Sequence, residues 1–243
     1  MKPAPFDYVA PTNLEDALGL VGEEAKALAG GQSLVPLLNF RLARPRLLVD
    51  LNKVAGLGAI RRSGGSLFIG ALVRQAAVER SRLIAETWPL LTRAIRFVGH
   101  PQTRTRGTVG GSVVHADPAA ELPCVLATLG ARYHLRSRRG SRTLTSDELF
   151  VGALQTSLEP DELLVEIEVP APPLGARSAF VEYARTHGDF ALAGVALLAS
   201  EEETRIGLLG VAPTPVVVAS VADADIGDDY LRALVERLAA SVS

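Results

Sequence analysis

Helical and extended periodicities alternate along the first fifty or so residues. Leu14, Ala17, Leu18 and Val21 recur at i, i+3, i+4 and i+7, one face of a helix. Thr12, with Glu15 three residues later, reads as the capping box that starts it. A short apolar run at 25–29 predicts a buried strand, which Gly30-Gly31-Gln32-Ser33 breaks. Residues 34–42 predict a helix or helical turn, and 46–50 predict another strand. Strand, helix and strand in this order describe a βαβ-like unit, a small α/β module.

Further along, 66–72 and 163–169 read as strands, and 120–129 as a helix. An amphipathic helix is expected over 88–98, started by Pro89. Residues 132–136 and 142–144 suit a hairpin about Gly140. Pro170-Ala-Pro-Pro-Leu-Gly175 marks a break between subdomains. Beyond it, 179–184, 191–199 and 204–211 alternate as an antiparallel meander. A closing helix is expected over 228–240, with Leu231, Leu234, Val235 and Leu238 on one face.

Composition narrows the classes. With 48% hydrophobic residues among 243, the chain can bury a real core and is not disordered. A net charge of −2 argues against a dominant nucleic-acid role, which needs a net basic face. Local basic clusters at Arg104 and Arg106 and over 136–142 leave a local patch open. Cys124 stands alone and His100, His115, His134 and His187 are scattered, so no disulfide, zinc site or iron–sulfur cluster is expected. Any metal redox chemistry must then come from another chain. Cys124 shares an apolar helix face with Leu122, Val125 and Leu126 and reads as core. The start has no apolar signal region, and no apolar run approaches the roughly 20 residues of a membrane span, so a cytoplasmic protein is the expectation.

Candidate chemistry lies in two diglycine loops. In Leu28-Ala-Gly-Gly-Gln-Ser-Leu34, paired glycines free the backbone to approach a ligand, and successive N–H groups can form an anion-binding nest. Neither the P-loop nor the Rossmann spacing is present. In the second, 106–123, Gly107, Gly110 and Gly111 again clear space. Thr108 and Ser112 offer hydroxyls, and His115, Asp117 and Glu121 offer groups for ribose hydroxyls or an amide edge. Each feature also has a plain structural reading. A lone Gly-Gly is usually a tight turn, Asp117-Pro118 is an ordinary turn or helix start, and a lone His115 is more often a satisfied polar residue. Residue chemistry by itself therefore reaches only a phosphate-bearing ligand.

The strings taken together go further. Phe6-Asp-Tyr8 with Pro11, Ala29-Gly-Gly-Gln-Ser-Leu34, Val98-Gly-His-Pro-Gln102, Thr108-Val-Gly-Gly-Ser112 and His115-Ala-Asp-Pro-Ala-Ala-Glu-Leu-Pro123 resemble the FAD-binding medium subunit of the molybdenum hydroxylases, the carbon monoxide dehydrogenase and xanthine dehydrogenase family. Glu159-Pro-Asp-Glu-Leu163, Arg185-Thr-His-Gly-Asp-Phe190 and Gly210-Val-Ala-Pro-Thr-Pro215 extend the likeness along nearly the whole chain.

That resemblance implies an α+β, two-subdomain FAD-binding fold of the vanillyl-alcohol-oxidase/cresol-hydroxylase (PCMH) type, with a small C-terminal antiparallel sheet-and-helix domain. The divisions expected are 1–55, 56–173 and a shortened 174–243. It implies cofactor contacts from Leu28, Ala29, Gly30, Gly31, Gln32, Ser33 and Leu34, the last five at the diphosphate. Thr108, Gly110, Gly111, Ser112, His115, Asp117 and Glu121 would touch the rest. Val98 and Leu164 would flank the flavin or adenine, and the Gly188-Asp-Phe190 loop would lie near the isoalloxazine ring. No catalytic or metal-ligating residue is expected. Ser112 stands where many relatives have Asn, a hydroxyl for an amide.

The implied role is electron transfer. A molybdopterin-binding large subunit oxidises substrate, a 2Fe-2S small subunit relays electrons, and FAD on this chain passes them to an external acceptor. A heterotrimer or a dimer of heterotrimers is implied, with no nucleic acid. Two alternatives stay open: a flavin-free structural or assembly subunit, and a stand-alone FAD-dependent NAD(P)H reductase.

Overall fold

A computed structural model describes residues 2–220, 223–226 and 229–241, without the side chains of residues 230 and 231. Asp228 and the Leu231 side chain, both part of the expected closing helix, lie outside the described residues.

The N-terminal unit is a parallel sheet of β1 (Asp7–Val9), β2 (Ala25–Leu28) and β3 (Leu47–Asp50) in the order β1-β3-β2, joined by α1 (Leu14–Leu18) and α2 (Leu34–Asn39). Central β3 carries the buried Leu48 and Val49. The expected buried strand at 25–29 is instead half exposed, because β2 is an edge strand. The cap of α1 also differs. Asn13, in the extended region, accepts from the Asp16 N–H at 2.9 Å, so the cap lies one residue beyond Thr12. Helix α2 stops at Asn39 because Arg41 turns left-handed (φ 59°) and the Leu42 N–H reaches back to the Leu37 carbonyl, a Schellman-type stop.

A 3-10 turn, Leu51–Lys53, leads to β4 (Ile60–Ser63) and β5 (Ser66–Gly70). Six short helices follow: α3 (Gln75–Arg80), α4 (Arg82–Thr87), α5 (Pro89–Ala94), α6 (Pro101–Arg106), α7 (Val109–His115) and α8 (Glu121–Thr128). Then come β6 (Arg132–Ser137), β7 (Gly140–Leu144), α9 (Ser146–Leu149), a ribbon of β8 (Phe150–Gly152) and β9 (Gln155–Thr156), and β10 (Leu163–Val169). The five-stranded sheet is antiparallel in the order β4-β5-β10-β6-β7. Leu67, Ile69, Tyr133, Leu135 and Ile167 rise from it into one core with Trp88, Leu91, Leu122 and Leu126 of the helices.

Two expectations change in this layer. The helix over 88–98 is only α5, six residues long, and Trp88 both ends α4 and precedes Pro89. The second diglycine segment is helix α7 and not a loop. Three arginines of the basic cluster over 136–142 are paired: Arg136 with Glu15, Arg139 with Asp161, and Arg142 with Glu162, at 3.1, 2.7 and 2.7 Å.

The third layer is an antiparallel meander, β11 (Arg177–Tyr183), β12 (Ala193–Ala199), β13 (Thr204–Leu209) and β14 (Val216–Val218), closed by α10 (Asp229–Ala240). Leu234 and Val235 of α10 pack on Ala193, Val195 and Leu208. The other sheet face lies on α8, where a Cβ on Gly207 would collide with the Thr128 hydroxyl. Cys124 is buried in that contact, and burial pushes its thiol up to about 12, so it is inert core. Among the described residues no helix is long and apolar enough to cross a membrane. Nor do three His, Cys, Asp or Glu side chains there converge as metal ligands.

Candidate functional site

The connections of all three layers meet around a cleft of about 630 Å³, within the range of ligand cavities. It collects Ala29, Gly30, Gly31, Gln32, Ser33, Leu34, Val98, Thr108, Gly110, Gly111, Ser112, His115, Asp117, Glu121 and Leu164. Gly188, Asp189 and Phe190 line it from the third layer. Leu28 lies in an adjoining pocket of about 270 Å³, with Asp50, Asn52 and Arg106.

The first segment leaves β2 as irregular backbone. Gly31 is left-handed at φ 74°, a conformation strained for any L side chain. Gly30 is needed for another reason: a Cβ there would stand 2.5 Å from the Arg106 carbonyl oxygen and 2.8 Å from Gly107 Cα. The two segments abut at this point. The backbone N–H groups of Gly31, Gln32 and Ser33 have no acceptor among the described residues. Ser33 precedes α2 without capping it, so its hydroxyl is free as well.

The second segment is built the opposite way. Thr108 Oγ1 accepts from the Gly111 N–H at 3.1 Å and caps α7. The Val109 and Gly110 N–H groups donate to the Val73 and Ala71 carbonyls, both at 2.9 Å. A Cβ on Gly110 would come 2.6 Å from Ala71 Cβ, and one on Gly111 would come 2.7 Å from Thr108 Oγ1. Gly110 therefore clears space for Ala71 and Gly111 for the Thr108 cap, and both still line the cleft. The helix stops at Ala116, left-handed at φ 52°. Asp117 Oδ1 then takes the Ala119 N–H at 2.9 Å, the ordinary turn role, while still lining the cleft.

Glu121 opens α8 and is 7% exposed. Burial, with the charges of Glu182 and Asp117 nearby, pushes its carboxyl up to about 8, which favours the protonated form over the ordinary carboxylate. Glu182 on β11 is lifted to about 7 by burial, and its Oε2 is buried without a partner. Arg104, buried, pairs with Glu79 at 2.9 Å and donates to the Val98 and Gly99 carbonyls, both at 3.1 Å. It thereby fixes the turn that presents Val98. Gly188 closes on His100, since a Cβ there would stand 2.6 Å from the ring.

Gln75 escapes sequence reading. It is 4% exposed, lines the cleft, and its Oε1 is buried with no partner. It stands beside Arg74 at the start of α3, and only the tertiary approach of Gly107 reveals its burial.

Residues 4–172 match the family described as the FAD binding domain in molybdopterin dehydrogenase. The chain belongs to that family. It is 47% identical over 225 residues to the 6-hydroxypseudooxynicotine dehydrogenase complex subunit alpha of Paenarthrobacter nicotinovorans, covering 89% of this chain and 76% of the relative. It is 37% identical over 224 residues to the carbon monoxide dehydrogenase medium chain of Afipia carboxidovorans, with 89% and 78% covered. Among solved structures, carbon monoxide dehydrogenase from Hydrogenophaga pseudoflava superposes with a TM-score of 0.91 at 32% identity, covering 100% of this chain and 97% of that one. Quinoline 2-oxidoreductase from Pseudomonas putida 86 gives 0.88 at 36% identity, with 98% and 87% covered.

This molybdopterin-dehydrogenase flavoprotein thus has the PCMH-type FAD-binding fold with a small antiparallel sheet domain, and it is an FAD-binding oxidoreductase subunit of the molybdenum hydroxylase family. The cleft suits FAD on its own chemistry. Free N–H groups and a free hydroxyl at 31–33 suit an anion, and the unpartnered Gln75 Oε1 and buried Glu121 suit a polar ligand.

Proposed function

We propose that this chain is the electron-transfer flavoprotein of a molybdopterin-dependent dehydrogenase. In this reading a molybdopterin-binding large subunit oxidises the substrate and a 2Fe-2S small subunit relays the electrons. They leave through FAD on this chain to an external acceptor, in a heterotrimer or a dimer of heterotrimers. The observation that carries it is the row of unsatisfied backbone donors at Gly31, Gln32 and Ser33, lining the same cleft as the buried Glu121 carboxyl.

The bound cofactor supplies the redox chemistry, and the chain supplies seat and surroundings. Gly31, Gln32, Ser33 and Leu34 hold the diphosphate through N–H groups and the Ser33 hydroxyl. Ser112 and His115 add polar contacts from the exit of α7, and Asp117 and Glu121 add theirs from the turn into α8. In its protonated form Glu121 donates where an ionised carboxylate can only accept. Val98 and Leu164 give apolar contact, and Phe190 stands at the cleft's exposed side. The units proposed to carry these parts are 1–55, 56–173 and 174–243. The names of the relatives, all subunits or chains of dehydrogenases or hydroxylases, support the assembly.

Purification of the chain with its neighbouring open reading frames tests the reading. Yellow protein with an FAD spectrum, accompanied by a molybdopterin chain and a cysteine-rich ferredoxin-like chain, is expected. Colourless protein that cannot be reconstituted with FAD overturns it. NAD(P)H oxidation without any partner points to the stand-alone reductase instead.

A further inference from the structure

We propose that Asn52 and Arg74 are positioning residues that bolt the two glycine segments together and so set the affinity for FAD. The inference rests on the flavin reading above and adds a role for two side chains outside the main cleft.

The bracket is a short series of hydrogen bonds. Asn52 Nδ2 donates to the Ala29 carbonyl at 2.9 Å, immediately before Gly30. Arg74 donates through one terminal nitrogen to Asn52 Oδ1 at 2.6 Å and through the other to the Arg106 carbonyl, immediately before Gly107. That Arg106 carbonyl is the atom against which Gly30 is pressed. Asp50 holds Asn52 from behind. Its Oδ1 takes the Asn52 N–H at 2.9 Å and Nδ2 at 2.6 Å, and its Oδ2 takes the Tyr8 hydroxyl at 2.5 Å. One end of the series therefore stands on the parallel sheet and the other at the start of α3, in the second layer.

Neither glycine segment can fix this spacing alone. The first spends no N–H of Gly31, Gln32 or Ser33 on the protein, and the second is anchored to Ala71 and Val73 in its own layer. A guanidinium is the fitting group, because its rigid fork can serve two acceptors at once. The bonds lie at the surface, where single hydrogen bonds and charges add little to folding. Loss of the bracket should accordingly loosen the cofactor seat and leave the fold intact.

The test titrates the flavin-free full chain with FAD and follows quenching of flavin fluorescence. Asn52→Ala and Arg74→Ala are each expected to raise the Kd about tenfold, and the double variant no more than either alone, because the two act in series. Their flavin-free melting temperatures should stay within about 2 °C of the unsubstituted chain. Arg74→Lys keeps the charge without the fork and should still bind several-fold more weakly. The visible circular dichroism of the flavin at saturation should change in all variants. Unchanged affinity in the single variants, an additive loss of about a hundredfold in the double, or full recovery in Arg74→Lys overturns the proposal. Absence of binding by the unsubstituted chain overturns the flavin reading itself, before any variant is compared.

Discussion

The two Gly-Gly pairs of this chain look alike in sequence and do opposite physical work. At Gly30-Gly31 the backbone is irregular, one residue is left-handed, and three successive N–H groups after Gly30 are left for a ligand. At Gly110-Gly111 the backbone is helical, its donors are spent on Ala71, Val73 and Thr108, and glycine at 110 lets the helix press against Ala71 within its own layer. A diglycine is thus a statement about missing side chains, and the neighbours decide who fills the gap.

Substitutions break the comparison in order of size. Gly110→Val forces a branched side chain into the Ala71 backbone and should cost more than about 4 kcal/mol, so that little folded protein accumulates. Next comes the buried acid beyond α7. In the folded chain Glu121 titrates near 8, against 4.5 when free, so between those values the native state holds a proton that the unfolded state has released. Its contribution is greatest below 4.5 and fades, by a few kcal/mol, as pH rises to about 8. Urea denaturation of flavin-free Glu121→Gln should show a flatter stability profile across that range and greater stability than the unsubstituted chain at its alkaline end.

Gly31→Val reverses the pattern of Gly110→Val. The left-handed strain costs about 1–2 kcal/mol, which the fold survives, but FAD retention should vanish from the absorbance spectrum of the purified protein. A folded Gly31→Val variant with full FAD content would show that the first segment is no part of the seat. The smallest effect is expected from Thr108→Ala, which removes the α7 cap at about 1 kcal/mol and should shift the melting temperature by a few degrees.

What could be read from the chain follows the same division. The alternation at 163–169 gave β10 with its exact bounds, and Gly140 gave the hairpin, because strand patterning and turn chemistry are local. Helix α7 was hidden. Two adjacent glycines carry a helix penalty of about 1 kcal/mol each, and the carbonyls that offset it come from Ala71 and Val73, far away in sequence. Ser81 caps α4 by accepting from the Ile84 N–H and so splits α3 from α4. The cleft lining was legible through its motif strings, including Glu121. Gln75, Asn52 and Arg74 were not, since each acquires its role from a partner on another element.

The lone tryptophan stands where the last two layers join. Trp88 is fully buried, donates from Nε1 to the Pro170 carbonyl at 2.8 Å, and has the Arg62 guanidinium 5.7 Å from its ring. Pro170 begins the link to the meander, so the ring is an optical gauge of that seam, already installed at a single site. Release of the link would wet the indole and move its emission to the red while the strands on either side remained paired.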